Sequence, residues 1–234
     1  MGSMTERRAH SAPPLVVDLD GTLLKTDLLA ETASAFLAAR PLRAPCLVSW
    51  LAVGKSRLKA ELAGVCGIDP AALPYNEPLL AWLREQKAQG RRLVLATASH
   101  RLLAEAVARH LGLFDEVLAT EGETNLKAGR KRDLLVSLYG EGGYDYVGND
   151  SADIEVWRCA GRAHVVCSSP GLLARARALG NLGQVFDGGK PPAATALFKA
   201  LRPHQWVKNL LVLEPLIAAH RYNDQASLVL ALLA

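Results

Sequence analysis

Short apolar runs that alternate with helical patterns constrain the fold of this chain more than any other feature of its sequence. A strand that is apolar along its whole length must be covered on both faces, and helices between such strands make βαβ units. We therefore expect an α/β fold, a doubly wound parallel sheet within residues 15–187. The predicted strands are at 15–20, 93–97, 117–120, 144–148 and 163–167, with helical patterns at 100–111, 131–138 and 172–179.

The interval between the first two predicted strands is longer than one crossover helix requires. Residues 27–39 are apolar at helical spacing, and prolines and glycines interrupt the sequence that follows them. We expect residues 27–80 to form a helical cap, inserted after the first strand and lying over the carboxyl edge of the sheet.

The composition argues against several classes of protein. With 50% hydrophobic and 21% charged residues, the chain has enough apolar surface for a core and is not disordered. The net charge of +4 comes from scattered residues, so nucleic acid is not an expected partner. Cys46, Cys66, Cys159 and Cys167 form no CxxC pair, which predicts buried thiols and a reducing, cytosolic compartment. Residues 1–14 are expected to be a tag and a disordered N-terminus, because Met-Gly-Ser precedes a second initiator residue, Met4. No signal peptide is expected, because the residues after Met4 lack an apolar segment.

Two acidic residues stand at the end of the first predicted strand. Residues two apart in an extended segment project to the same side, so Asp18 and Asp20 can share one metal ion and one substrate. The ends of strands in an open α/β sheet are where ligands bind. Gly21, which follows, lets the chain turn sharply away from this edge.

The string Asp-Leu-Asp-Gly-Thr at 18–22 resembles the first motif of the haloacid dehalogenase (HAD) superfamily of phosphotransferases. The family's second motif is a serine or threonine that ends the next core strand, and Thr97, followed by Ala98, is similar to it. The resemblance implies that the Thr97 hydroxyl and nearby backbone N–H groups hold phosphate at a helix N-terminus. The alternative is that Thr97 only caps the following helix.

The family's third motif is a lysine at the start of a later helix, and two lysines compete for it. Lys131 has the spacing that the resemblance implies, and Lys127 is the alternate. A basic run of this kind also occurs as a solvated helix face. A cation at a helix N-terminus opposes the helix dipole, however, and a bound phosphate would reverse that effect.

The family's fourth motif is an acidic pair after another strand, and Gly-Asn-Asp-Ser-Ala-Asp at 148–153 resembles it with one departure. Asn149 stands where the first aspartate is usual, Asp150 comes one place later, and Asp153 is the supporting acid. Either Asp150 reaches the metal by a local shift, or Asn149 coordinates through its amide oxygen. We expect Asp150 to be the ligand, with Asn149 in reserve.

The resemblance also implies a mechanism and a cofactor. Asp18 would attack phosphorus and form an aspartyl-phosphate, and Asp20 would act first as an acid and then as a base. Mg²⁺ would be held by Asp18, by Asp20 or the main chain of Leu19 or Asp20, and by the fourth motif. Together with Lys131 and Thr97 it would offset the phosphoryl charge. The position of the cap resembles that of the phosphoserine phosphatase branch, where a cap selects the leaving group.

The last forty residues differ in character from the rest. Residues 188–195 read as a linker, and the string Arg-Pro-His-Gln-Trp-Val-Lys-Asn at 202–209 resembles the start of UbiA-type prenyltransferases, in particular polyprenyl-phosphate phosphoribosyltransferases. We expect residues 196–234 to be the truncated start of such a membrane region, with apolar runs and Trp206 suited to the interface. The alternative is an amphipathic helix that packs back on the domain.

These features predict an Mg²⁺-dependent phosphatase at the cytoplasmic face of the inner membrane. If the two regions act in sequence, the substrate is a polyprenyl-phosphoryl-5-phosphoribose whose 5-phosphate is removed. The alternatives are a soluble phosphatase for a small metabolite such as phosphoserine, and a weakly active regulatory or docking domain, which the departure at Asn149 would explain.

Overall fold

A parallel sheet forms the centre of the molecule. The computed structural model describes residues 12–65, 68–120, 128–167 and 169–188. Within these residues six parallel strands form one sheet in the order β3-β2-β1-β4-β5-β6, which confirms the expected α/β fold. The strands are β1 (Leu15–Val17), β2 (Leu93–His100), β3 (Glu116–Thr120), β4 (Asp145–Gly148), β5 (Ala163–Val166) and β6 (Leu182–Phe186).

Helices cover both faces of this sheet, and alternate residues of β1 show how. Leu15 and Val17 belong to one apolar cluster, and Val16 belongs to another on the opposite face. The strand order reverses at β1, which pairs with β2 on one side and β4 on the other, so the sheet has its switch point there. The helices that follow the insertion are α4 (Glu77–Ala88), α5 (Arg101–Leu111), α6 (Ala128–Tyr139), α7 (Ile154–Cys159) and α8 (Pro170–Arg177).

A helical cap is inserted between β1 and β2. It contains α1 (Leu28–Ala39), α2 (Ala44–Val53) and α3 (Lys55–Val65). Phe36, Leu58 and Leu62 are buried in a small apolar cluster that is separate from the two clusters of the sheet. The next helix, α4, buries leucines in the main core. The insertion therefore ends before α4, and the predicted bound of 80 runs into a helix of the sheet layer.

Several predicted bounds differ from those in the structure. The first strand ends at Val17 rather than at residue 20, and β2 continues three residues beyond Thr97. The edge strand β6 was not predicted, because its residues are half-buried or exposed and carry no continuous apolar pattern. Cys46, Cys159 and Cys167 are free thiols, as predicted, but they are only partly buried.

Some predictions fall on residues outside the described ranges. These are the tag at 1–11, Cys66, Lys127, most of the linker and the whole segment 196–234. Within the described ranges, none of the helices has the length and apolar character needed to cross a bilayer.

Candidate active site

The first acidic residue leaves β1 and enters a tight loop. The Asp18 N–H donates to the carbonyl of Val147 on β4, and its own carbonyl accepts from Leu23. Gly21 has a φ of +74°, a conformation that favours glycine. A Cβ at this position would lie 2.2 Å from Nδ2 of Asn149, so the loops after β1 and β4 can approach only because Gly21 has no side chain.

The carboxylate of Asp18 is held at both oxygens. Lys131 Nζ lies 2.6 Å from Oδ1, and the Thr22 hydroxyl lies 3.2 Å from Oδ2. Asp18 and Lys131 are both buried, so this is an ion pair with little access to water. A buried pair of this kind fixes the carboxylate in one orientation. The structure thus brings Asp18 and Lys131 together.

A second set of contacts holds Lys131 in place. Its ammonium also donates to the Tyr146 hydroxyl at 2.9 Å, and that hydroxyl donates to Oδ1 of Asp153 at 3.0 Å. Burial lowers the pKa of Lys131, but the charges of Asp18 and Asp153 outweigh it and hold the pKa above its usual value. Lys131 is therefore an ammonium at neutral pH.

The second acid of the first motif, Asp20, is surrounded by donors. Its Oδ1 accepts from the Leu28 N–H at 2.7 Å, at the start of the cap. Its Oδ2 accepts from the hydroxyls of Ser99 at 2.6 Å and Thr97 at 3.3 Å. Burial and the charges of nearby Asp27 and Asp18 raise the pKa of Asp20 to about 6, although the bonds from Ser99 and Leu28 act in the opposite direction. A carboxyl with this pKa can exchange a proton near neutral pH.

Thr97 lies at the site but does not cap a helix. Its Oγ1 accepts from the Ser99 N–H at 2.9 Å, while β2 continues to His100. The N-cap of α5 is His100, whose Nδ1 accepts from Leu102. Both the alternative role of Thr97 as an N-cap and the expectation that it lies at a helix N-terminus are therefore wrong, because the strand is longer than predicted.

Ala98, the neighbour of Thr97, links the site to the cap. Its carbonyl accepts from Lys59 Nζ at 2.8 Å and from the Thr120 hydroxyl at 3.0 Å. Lys59 belongs to α3, so this bond joins the cap directly to β2. The sequence showed no motif around Lys59, and only the fold reveals its position.

The residues after β4 differ from the expectation. The amide oxygen of Asn149 accepts from the Thr22 hydroxyl at 3.1 Å, which places Asn149 beside the first motif. Asp150 is exposed, and its Oδ1 accepts from the Ala152 N–H at 3.1 Å and the Ser151 hydroxyl at 2.9 Å. Its carboxylate caps the 3-10 turn at 151–153. Against the expectation, this geometry favours Asn149 over Asp150 as a metal ligand, because the Asp150 carboxylate caps the turn and Asn149 lies beside the first motif.

Asp153 supports this loop from below. Its Oδ2 accepts from the N–H groups of Asn149 and Asp150, each at 2.9 Å, and a Cβ on Gly148 would lie 2.5 Å from the same oxygen. Burial and the charge of Asp18 raise the pKa of Asp153 to about 6, against the opposing charge of Lys131. Asp153 therefore positions the backbone of Asn149, in keeping with the supporting role expected for it.

Oxygen atoms suited to Mg²⁺ converge between these loops, although no cluster of three or more His, Cys, Asp or Glu side chains is arranged for a metal in the described part of the chain. The Thr22 hydroxyl contacts both Asp18 Oδ2 and Asn149 Oδ1, so these two oxygens lie near each other. Of the two main-chain candidates, the Leu19 carbonyl already accepts from two N–H groups, which favours Asp20. Mg²⁺ prefers hard oxygen ligands and keeps several waters, so this small set fits it.

The carboxylate of Asp20 does not belong to that set. Both of its oxygens are engaged by Leu28, Ser99 and Thr97. The prediction of Asp20 as a metal ligand is therefore retained only for its main-chain carbonyl.

Two contributors were missed at the level of the sequence. Ser99 lies two residues after Thr97 on the same strand, and the period of two would have indicated a shared face. Tyr146 likewise lies on β4 close before Asn149. Its aromatic character suggested only core packing, and its hydroxyl contact with Lys131 depends on the approach of α6.

Comparison with known sequences places this arrangement in context. Residues 15–136 match the family described as haloacid dehalogenase-like hydrolase. The uncharacterized protein y4nM of Sinorhizobium fredii is 34% identical over 212 residues, which cover 90% of this chain and 41% of that protein. The chain thus spans less than half the length of this relative. A match of that coverage cannot be contained in residues 1–188, so it extends into the C-terminal segment.

Solved structures share the fold at low identity. A Bordetella pertussis protein of unknown function has a TM-score of 0.55 and 20% identity, covering 76% of this chain and 100% of that one. A HAD family hydrolase from Salmonella enterica has a TM-score of 0.50 and 17% identity, covering 69% and 66%. A phosphoserine phosphatase in its apo form has a TM-score of 0.50 and 14% identity, covering 76% and 94%. At these identities the likeness concerns the fold.

Proposed function

Because the chain belongs to the family of haloacid dehalogenase-like hydrolases, we propose that it hydrolyses phosphate monoesters with Asp18 as its nucleophile. The observation that carries this proposal is that two carboxyl groups near the end of one strand have different surroundings. Asp18 is fixed by Lys131 at 2.6 Å, whereas Asp20 has a pKa raised to about 6. One carboxylate is thus suited to attack and the other to proton transfer.

The first step of the proposed reaction joins Asp18 to phosphorus. A carboxylate oxygen of Asp18 forms the new P–O bond while the bond from phosphorus to the leaving oxygen breaks. Asp20, in its protonated form, gives its proton to that leaving oxygen. Ser99 and Thr97, which donate to Asp20 Oδ2, hold the carboxyl in position for this transfer.

The second step releases phosphate. Asp20, now a carboxylate, accepts a proton from water as the water oxygen attacks phosphorus. The bond from phosphorus to Asp18 then breaks, and both carboxyls return to their first state. Covalent catalysis of this kind divides one difficult displacement into two easier ones.

Positive charge is needed because an anionic nucleophile approaches an anionic phosphoryl group. Lys131 supplies one such charge, and its bonds to Asp18 and Tyr146 keep it at the site. Mg²⁺, when bound, would offset further phosphoryl charge, and Asp18, the Asp20 carbonyl and Asn149 are the residues that would hold it.

We propose a lipid-linked sugar phosphate as the substrate, with the phosphate of a polyprenyl-phosphoryl-5-phosphoribose as the group removed. Two observations support it: the UbiA-like string at 202–209, and a relative more than twice as long whose match extends into the C-terminal segment. On this proposal the chain is the N-terminal part of a membrane-bound fusion at the cytoplasmic face of the membrane, and residues 188–195 link the two parts.

The proposal is tested with the full chain by release of inorganic phosphate. We expect Mg²⁺-dependent turnover of p-nitrophenyl phosphate, and a kcat/KM for the lipid-linked ribose 5-phosphate that exceeds that for phosphoserine by about tenfold or more. The reverse order would favour a phosphatase for small metabolites. A chain without measurable turnover of any of these esters would favour a regulatory or docking domain.

A further inference from the structure

One helix of the cap is apolar and yet exposed. The sequence of α2 is Ala-Pro-Cys-Leu-Val-Ser-Trp-Leu-Ala-Val, without a charged residue, and none of these side chains is buried. Its inner side packs on the cap cluster through Leu47, Trp50 and Leu51. Its exposed positions are Ala44, Pro45, Val48, Ser49, Ala52 and Val53.

The large apolar side chains on this outer face are well exposed. Val48 is 46% exposed, Val53 is 77% exposed, and Leu42, just before the helix, is 96% exposed. Isolated exposed aliphatic residues are ordinary, but several of them together on an uncharged helix face form a candidate contact surface. The helix α2 is also connected to the site, because it packs on α3, and Lys59 of α3 donates to a carbonyl of β2.

Basic residues precede and follow the apolar face along the chain. From residue 40 to residue 60 the sequence contains five basic residues and no acidic one: Arg40, Arg43, Lys55, Arg57 and Lys59. Arg57 forms an ion pair with Glu61 at 2.6 Å, and Lys59 donates to the Ala98 carbonyl. The basic rim of this face is therefore Arg40 and Arg43, which are both exposed and lie just before α2. The overall charge of the chain is only +4, so this rim is a local concentration of positive charge.

An apolar helix face with a basic rim has a definite complement. A helix lying in a membrane interface buries its apolar side among the acyl chains, while Lys and Arg side chains reach anionic headgroups. If a second copy of this chain bound here through the same face, its positive rim would repel the rim of the first copy. An apolar protein surface with few acidic residues would leave the arginines of the rim without anionic partners. Charge complementarity therefore favours anionic lipid over another protein.

We propose that the outer face of α2 and the arginines just before it bind the surface of an anionic lipid bilayer. The inference deepens the proposed function, on which it rests for the idea of a lipid-linked substrate. It places the membrane contact on the cap as well as on any C-terminal region. The leaving group of such a substrate would then remain in the bilayer while its phosphate enters the site beneath the cap.

The test is sedimentation of the full chain with phosphatidylcholine vesicles that either contain or lack phosphatidylglycerol. We expect binding to the anionic vesicles, with Val48→Glu/Val53→Glu weakening it by about tenfold or more, because two apolar side chains are lost from the interface. Arg40→Gln/Arg43→Gln should weaken it by about fivefold per charge, and only for anionic vesicles. The matched control is Leu138→Glu on α6, an equally exposed leucine at 49%, which should bind as the unsubstituted chain does.

The outcomes separate the alternatives. If Val48→Glu/Val53→Glu binds vesicles as tightly as the unsubstituted chain, the contact lies elsewhere and the proposal fails. The chain could instead self-associate through this face and not bind vesicles, in which case Val48→Glu/Val53→Glu would yield monomers. The face would then bind a second copy of the chain, and the proposal would also fail. Folding of each variant is checked by its thermal unfolding. Turnover of p-nitrophenyl phosphate by the unsubstituted chain is measured in the same preparation, so that an absence of phosphatase activity is recorded separately from an absence of lipid binding.

Discussion

The ammonium of Lys131 lies 2.6 Å from Oδ1 of Asp18, although 113 residues separate the two in the sequence. The contact joins the end of β1 to the first turns of α6. It fixes the orientation of the proposed nucleophile and places a positive charge where a phosphoryl group would accumulate negative charge.

Replacement of the nucleophile gives the first prediction. Asp18→Asn keeps the volume of the side chain but removes the attacking carboxylate, so turnover of p-nitrophenyl phosphate should fall by about a thousandfold or more. Steady-state kinetics at saturating Mg²⁺ measure this. The matched control is Asp133→Asn, an exposed acid on α6, which should turn over normally. Turnover by Asp18→Asn within threefold of the unsubstituted chain would refute its role.

The second prediction concerns pH. The pKa of Asp20 is raised to about 6, and the proposed first step needs its protonated form, so kcat/KM should fall as pH rises through that value. The Ser99 hydroxyl lowers this pKa, and Ser99→Ala should therefore move the falling limb to higher pH by about one unit. Ser137→Ala, an exposed serine on α6, should leave the profile in place. A limb that stays fixed in Ser99→Ala would show that another group titrates.

The third prediction compares the two residues of the fourth motif. Asn149 faces the Asp18 loop, whereas Asp150 caps a turn, so Asn149→Ala should raise the Mg²⁺ concentration for half-maximal turnover by about tenfold or more. Asp150→Ala should change it little. Asn149→Asp, which adds a negative ligand at the same volume, should lower the Mg²⁺ requirement. A larger effect of Asp150→Ala than of Asn149→Ala would restore the assignment expected from the sequence.

The contact between cap and sheet gives the fourth prediction. Lys59→Met removes the bond to the Ala98 carbonyl while it keeps most of the side-chain volume, so the cap should close less well over the site. We expect KM for p-nitrophenyl phosphate to rise by about tenfold, as the loss of a charged hydrogen bond suggests. Lys87→Met removes an exposed ion pair with Asp115 instead and serves as the control. An unchanged KM in Lys59→Met would mean that the bond does not control closure.

The last prediction concerns the C-terminal segment. Within the described residues, which end at 188, the sheet and the cap each have an apolar cluster of their own, so we expect a chain ending there to unfold cooperatively and keep its turnover. Thermal unfolding and size-exclusion chromatography measure this. Loss of the folded state on truncation would mean that residues 189–234 contribute to the core, and the proposed linker would be wrong.

The sequence predicted those parts of the site that depend on local spacing. Asp18 and Asp20 were identified because they directly follow an apolar run, although β1 ends before them at Val17, and the βαβ pattern predicted the parallel sheet. The sequence favoured Asp150 over Asn149 as the metal ligand, and the structure favours the reverse. The difference depends on the 3-10 turn at 151–153, which the Asp150 carboxylate caps. No periodicity in the sequence reveals whether the Asp150 carboxylate caps that turn or reaches the site.

Other parts depended on contacts between distant segments. Lys59 reaches the Ala98 carbonyl only because the cap folds back on β2, and Tyr146 meets Lys131 only where α6 crosses β4. The strand β6 was missed because it lies at the edge of the sheet and is half-exposed, so it lacks the apolar run that indicates a central strand.

The Thr22 hydroxyl has one hydrogen but two acceptors, Asp18 Oδ2 at 3.2 Å and Asn149 Oδ1 at 3.1 Å. A single hydrogen cannot serve both oxygens at once, so one of them always competes for a positive partner. A divalent cation between the loops would bind both oxygens, and it would join the loop after β1 to the loop after β4 in addition to the Thr22 hydroxyl. Mg²⁺ should therefore raise the unfolding temperature of the chain in the absence of any substrate. The ion would then stabilise the folded chain as well as take part in the chemistry.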